Sequence, residues 1–363
     1  MADRIARPLA GFFFDDYAIG QHLAHATPRT VTQADATLHL ALTGSRNPVH
    51  CAAPVAAALG HRAVPLDDLL VFHVAFGKTV HDVSFNAVAN LGYADLRFLA
   101  PVYPGDTLSA RSEVIGLKEN SSGKTGVVWV RSRAFNQDGA EVLSWVRWVM
   151  VARNLAVTAS GKEGPAIPAP AAIVPHLPRE VTAGRLSIPA FLDPRALDPR
   201  ATGGTRWWDD YAPGETIDHP GAMTIEEADH MLATRLYQNT ARVHFDALAA
   251  RGTAFGRRLV YGGHVISLCR ALAHDGLENA FAIAAIHGGA HANPTFAGDT
   301  IVTRTVIHSR DEIPARADVG ALRVRMLGAK NVKLADLATP APGAGDPAVV
   351  LDLDLTLLVP RRA

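Results

Sequence analysis

Cysteine is nearly absent from this chain. Its 363 residues include two, Cys51 and Cys269, far apart and in no metal-ligand spacing. A disulfide framework and a structural zinc site are therefore not expected, and a reducing compartment is. Net charge is missing too, since Lys plus Arg and Asp plus Glu both count 35. Without a field of either sign, neither a nucleic-acid partner nor an anionic membrane is expected. No stretch approaches the roughly 18 uninterrupted apolar residues of a membrane span. Asp3, Arg4, Arg7, Asp15 and Asp16 break up the first apolar residues, leaving no core for a secretory signal. A cytoplasmic location is the expectation. Hydrophobic residues at 48% and charged residues at 19% are the balance of a globular protein with substantial cores.

What is there is a repeat. Phe14-Asp15-Asp16-Tyr17-Ala18-Ile19-Gly20 returns as Trp208-Asp209-Asp210-Tyr211-Ala212-Pro213-Gly214, an offset of 194 residues. The same offset pairs Thr30 with Thr224, Ala34 with Ala228, Asp35 with Asp229 and His50 with His244. Further on, Pro101-Val102-Tyr103-Pro104-Gly105-Asp106-Thr107-Leu108 returns as Pro294-Thr295-Phe296-Ala297-Gly298-Asp299-Thr300-Ile301, now at 193. Matches kept in register over this length mark a duplication. Residues 1–153 and 205–363 are read as the two copies. Between them, 154–204 carries Pro165, Pro168, Pro170, Pro175, Pro178, Pro189, Pro194 and Pro199 among many alanines. Frequent proline removes backbone donors and blocks helix and central strand, so this stretch reads as an extended linker.

Each copy repeats one order of elements. A polar helical stretch, 32–42 and 226–236, leads into the His-containing segment. An apolar helix follows, with Val265, Leu268 and Leu272 at helical spacing in copy two and 69–76 in the same place in copy one. Segments 127–133, 141–151, 301–309 and 322–326 are rich in β-branched and aromatic residues, and 351–357 alternates strictly with period two. Turn sequences at 120–123 and 136–139 join strands as antiparallel hairpins. One long helix against a long antiparallel sheet, twice, is an α+β arrangement. At fold level it is a tandem (double) hot-dog, whose two modules pair their sheets side by side.

Copy one reads Thr43-Gly44-Ser45-Arg46-Asn47-Pro48-Val49-His50. This resembles the hydratase signature of the MaoC-like family, in which an Asp stands five residues before the His; here Ser45 takes its place. Copy two reads Gln238-Asn239-Thr240-Ala241-Arg242-Val243-His244, with Asn239 at the Asp position. Downstream, Tyr261-Gly262-Gly263-His264 resembles the family's approach to the central helix, whose glycine amide receives a thioester carbonyl. Adding water to an α,β-unsaturated thioester pushes charge onto the thioester oxygen, and helix N-terminal amides are preorganised donors for it. A His can take the proton from water. Asn239 can orient that water but cannot accept its proton, so the base role falls on His244. Copy one keeps His50 but starts its helix with Pro65-Leu66-Asp67-Asp68, without glycine. Copy two is therefore the better site for chemistry, with copy one supplying substrate contacts.

The run 67–80, then 85–94, Arg97-Phe98 and 101–106, resembles the mesaconyl-CoA hydratase (β-methylmalyl-CoA dehydratase) family across nearly the whole chain. That resemblance implies reversible hydration of mesaconyl-CoA in the ethylmalonyl-CoA route, with no cofactor beyond the CoA of the substrate. Family substrate contacts would fall on Pro65, Leu66, Asp67 and Asp68, on Leu91, Gly92, Tyr93 and Ala94, and on Val102, Tyr103 and Pro104. A substrate with a free carboxylate also wants a cation, for which Arg46 and Arg242 are candidates with Lys78 behind them. His287 and His291 fall on one strand face, but no acidic or Cys ligand accompanies them, and no metal is expected. Asp67 and Asp68 also suit helix capping. A hot-dog thioesterase and an inactive acyl-CoA-binding protein stand as alternatives, and a homodimer or larger homo-oligomer is left open.

Overall fold

The computed structural model describes residues 9–154, 173–341 and 345–362. Of the stretch read as a linker, 155–172 lies outside the described residues.

The two copies fold as two five-stranded units joined into one ten-stranded antiparallel sheet. The first contributes β1 (His22–Thr30), β2 (Ala87–Phe98), β3 (Thr107–Glu119), β4 (Thr125–Phe135) and β5 (Glu141–Ala152). The second contributes β6 (Thr216–Thr224), β7 (Ala282–Ala290), β8 (Thr300–Ile313), β9 (Arg316–Lys330) and β10 (Val349–Pro360). The order β1-β3-β4-β5-β2-β7-β10-β9-β8-β6 reads the same from either edge once copies are interchanged. At the joint, Tyr93 pairs with Gly289 and Leu96 with Ile286. Since 93 corresponds to 286 and 96 to 289 at an offset of 193, this is a self-complementary contact, as between the halves of a two-fold dimer.

Of four longer helices, α1 (Gln33–Thr43), α2 (Asp68–Val83), α3 (Glu227–Leu236) and α4 (Gly262–Leu272), α2 and α4 pack on this sheet, and α1 and α3 pack against each other and α4. Helix α1 starts at Thr32, which forms a capping box with Asp35, and stops at Gly44 in the left-handed region (φ 67°). The apolar α2 and α4 are buried on nearly every side. They cross where His73 meets Ser267, Nε2 to Oγ 2.8 Å, residues that correspond at the offset of 194. The start of each helix therefore lies beside the end of the other. The main core lies between them and the sheet, with Phe72, Trp145, Tyr237, Leu322 and Leu355 at its heart. Fully burying side chains of this size contributes about 1.5–3 kcal/mol each.

The sheet's other face is covered by 173–204. Val181 N–H donates to His287 Nδ1 at 2.8 Å, Arg185 pairs with Asp95, and Ser187 Oγ donates to the Leu99 carbonyl. Leu192 and Leu197 join Phe281, Ala284 and Leu358 in a second apolar cluster. Strand β7 alternates accordingly, Ile283 facing the helices and Ala284 this cover. The prolines here do not keep the chain purely extended. Pro194 and Pro199 each open a short helical turn, capped by Asp193 and Asp198.

Candidate active site

A cavity of about 270 Å³, lined by both copies, sits at the start of α4. From the second copy it takes Asn239, His244, Tyr261, Gly262 and His291, and from the first Phe76, Asn90, Tyr93 and Arg147.

His244 sits on a single helical turn, 242–245, that follows α3. Its Nδ1 lies 3.0 Å from the Leu259 carbonyl oxygen. A carbonyl only accepts, so Nδ1 carries the proton and Nε2 presents a bare lone pair. Burial pulls the imidazole down to about 4, against the opposing pull of the Leu259 hydrogen bond. The ring is thus neutral near pH 7 and available as a base. Asn239 is buried, its Oδ1 accepting the Ala241 N–H at 3.2 Å. Its position is set from outside: Gln238 adopts φ 53°, and Lys78 Nζ donates to the Gln238 side chain.

No side chain caps α4. The first amides of a helix have no acceptor inside it, so the N–H of Gly262, which lines the cavity, and that of Gly263 behind it are free donors backed by the helix dipole. Glycine is required by space: a Cβ on Gly262 would lie 2.5 Å from the His291 ring, and one on Gly263 2.4 Å from the Tyr261 ring. His291 Nε2 is 3.1 Å from the Tyr93 hydroxyl. Burial, then the neighbouring His244, lowers His291 to about 4.

The symmetry-related place in the first copy is much smaller. His50 Nδ1 meets the Pro65 carbonyl at 3.2 Å, matching His244 and Leu259 at the offset of 194. Where the second copy has Gly262, this one has Asp68, and where the first gives Phe76 to the large cavity, the second gives Arg270 here. What remains is small: about 10 Å³ between His50, Asp68 and Arg270, room for scarcely one water, and about 60 Å³ between His50, Asp68 and Phe98. Asp68 accepts the Ile283 N–H at 2.8 Å, and burial pushes its carboxyl up to about 6. Asp67 caps α2 through the Leu69 N–H at 2.9 Å and lies 3.5 Å from His39. Burial is the largest single influence and would raise its carboxyl, but the hydrogen bond and charge of His39, the nearby His50 and the Leu69 N–H together outweigh it and hold the group well below the usual range.

The residues expected to contact substrate are therefore dispersed. Tyr93 lines the large cavity; its neighbours Leu91, Gly92 and Ala94 do not. Pro65, Leu66 and Asp68 line a separate crevice of about 60 Å³ beside His50. Val102, Tyr103 and Pro104 line neither: the Val102 carbonyl accepts the Leu66 N–H, and the Tyr103 hydroxyl pairs with His61. The three expected cations are otherwise engaged. Arg46 is an exposed partner of Asp275 at 2.6 Å, Arg242 stacks over Phe85 at 4.6 Å, and Lys78 holds Gln238. His287 is occupied by Val181 and Thr356, so it has no part in this site. Arg147, Asn90 and His291 were missed as site residues.

The sequence matches the family model described as mesaconyl-CoA hydratase over residues 1–331. It is 51% identical over 358 residues to the β-methylmalyl-CoA dehydratase of Chloroflexus aurantiacus, which covers 98% of this chain and 99% of that one. A solved MaoC domain protein dehydratase from Chloroflexus aurantiacus superposes with a TM-score of 0.91 at 50% identity, over 99% of this chain and 100% of that chain. A Mycobacterium tuberculosis protein described as having a double hot-dog fold superposes with a TM-score of 0.75 at 28% identity, over 97% and 99%. The ten-stranded sheet with its two central helices is that fold.

Proposed function

This chain belongs to the mesaconyl-CoA hydratase family, and from that premise we propose that its large cavity adds water reversibly across the double bond of mesaconyl-CoA to give β-methylmalyl-CoA. The enzyme is a hydro-lyase. The thioester carbonyl lies against the amides of Gly262 and Gly263. Water, oriented by the Asn239 side chain, loses a proton to His244 Nε2 as its oxygen bonds to the β-carbon. The double-bond electrons move toward the α-carbon and the thioester oxygen, where the helix-start donors stabilise the developing charge. The α-carbon then takes up a proton as the imidazolium gives one up, and no bond to sulfur breaks.

The observation that carries this reading is the His244–Leu259 hydrogen bond. It fixes a neutral base with a free nitrogen in the lining that also holds Asn239 and the uncapped glycine helix start. The small crevices at His50 support one active site per chain, with the first copy as the wall that faces it. Incubation with mesaconyl-CoA, following both enoyl-thioester absorbance and free thiol, tests the reading. Loss of absorbance without thiol release is expected. Thiol release would instead make the protein a thioesterase, and no change in either signal would overturn the hydratase reading.

A further inference from the structure

We propose that Arg147 and Asn90 form the subsite that receives the free carboxylate of the substrate; this rests on the hydratase reading and adds the recognition of a dicarboxylic monothioester. Arg147 lies on β5 directly opposite Tyr93 of β2, and Asn90 lies on the same β2. Both line the cavity that holds His244 and Gly262.

Arg147 is 0% exposed, with its guanidinium over the Phe76 ring at 4.1 Å. Two of its nitrogens donate to hydroxyls, Thr79 Oγ1 at 2.8 Å and Ser84 Oγ at 3.3 Å, while Nε has no partner. No carboxylate among the described residues pairs with it. The contrast with Arg325 is instructive: nearly as buried, that side chain is clasped by both Asp352 oxygens at 2.8 and 2.7 Å. Beside Arg147, the side-chain oxygen and nitrogen of Asn90 are both buried without a partner.

A buried cation without a counter-ion is strongly disfavoured, and so is an unpaired buried amide. Finding both in one cavity wall points to a ligand group that completes them. A carboxylate does so: the flat guanidinium fork matches its two oxygens, and the Asn90 amide can add a further N–H. The hydroxyls of Thr79 and Ser84 hold the guanidinium plane without neutralising it. Burial lowers Arg147 only to about 10, so it stays cationic at neutral pH.

The test compares mesaconyl-CoA with crotonyl-CoA, an enoyl-thioester without the carboxylate, in the wild type and in Arg147→Met. The ratio of kcat/KM for mesaconyl-CoA to that for crotonyl-CoA is expected to fall about 100-fold or more in the variant. A wild type that turns over mesaconyl-CoA, with that ratio unchanged in the variant, would overturn the subsite alone. A wild type active on neither thioester would overturn the hydratase reading and the subsite with it. A second measurement needs no variant: succinyl-CoA should inhibit the wild type at least about 10-fold more tightly than butyryl-CoA, which differs in lacking the charge. Equal inhibition by the two would overturn the subsite even if the Met variant did not fold.

Discussion

Gly77 sits in the middle of α2, where helix propensity alone would favour alanine by roughly 1 kcal/mol. The surroundings reverse that preference. A Cβ on Gly77 would lie 1.9 Å from the Tyr237 carbonyl oxygen and 3.1 Å from its carbonyl carbon. The obstacle is backbone rather than the tip of a flexible side chain, so helix and loop must part by about 1.5 Å to reach ordinary contact. Overpacking of this kind costs about 1–3 kcal/mol, so Gly77→Ala should end up to about 2 kcal/mol less stable despite its better propensity. The same movement reaches chemistry, because Asn239 follows Tyr237 by two residues and its N–H bonds the Thr234 carbonyl at 3.0 Å. Displacing a water-orienting group by about 1 Å costs on the order of 100-fold in rate. Denaturant titration and kcat on mesaconyl-CoA check the two halves together. A variant as stable as the wild type with full kcat would refute the idea that this helix crossing positions Asn239.

Two further outcomes follow from the same geometry. Because burial lowers His244 to about 4, its base form persists well below the ordinary histidine range. The acid limb of kcat/KM should therefore fall near pH 4; a limb near 6.5 would show that the free-enzyme base is another group. Gly262→Ala, which drives a methyl to 2.5 Å from the His291 ring at the helix start, should lower kcat/KM by about 100-fold or more. Unchanged kcat/KM in a folded variant would remove Gly262 from the oxyanion site.

Much of this fold was legible because its strongest elements are periodic and apolar. The central helices and β4, β5, β8, β9 and β10 announce themselves in that way. The edge strands β1 and β6 do not, since Pro28 and Pro220 interrupt them at bulges, between His25 and Arg29 and between His219 and Ala222. The offset itself held an unused signal there. His25 and His219 correspond, and they bond to Ser112 and Thr305, which correspond in turn. In the site, the signature gave His244 and Asn239 because their chemistry is local in sequence. Arg147 stayed hidden because a charge in a strand is ordinarily read as facing solvent. Its setting, Trp145-Val146-Arg147-Trp148-Val149, was the clue that both faces of β5 are covered. The collapse of the first site was half visible in the missing glycines. That Asp68 and Arg270 fill it depends on the antiparallel crossing of two helices far apart in sequence.

The unequal duplication is tested most directly by comparing kcat for mesaconyl-CoA in His244→Ala and His50→Ala. Removing a general base that works alone should cost about 100- to 10,000-fold in the first variant. The second should stay within a few-fold of the wild type, because His50 faces spaces of only about 10 and 60 Å³, against about 270 Å³ at His244. Comparable losses in both variants, or full activity in His244→Ala, would contradict the assignment of a single active site to the second copy.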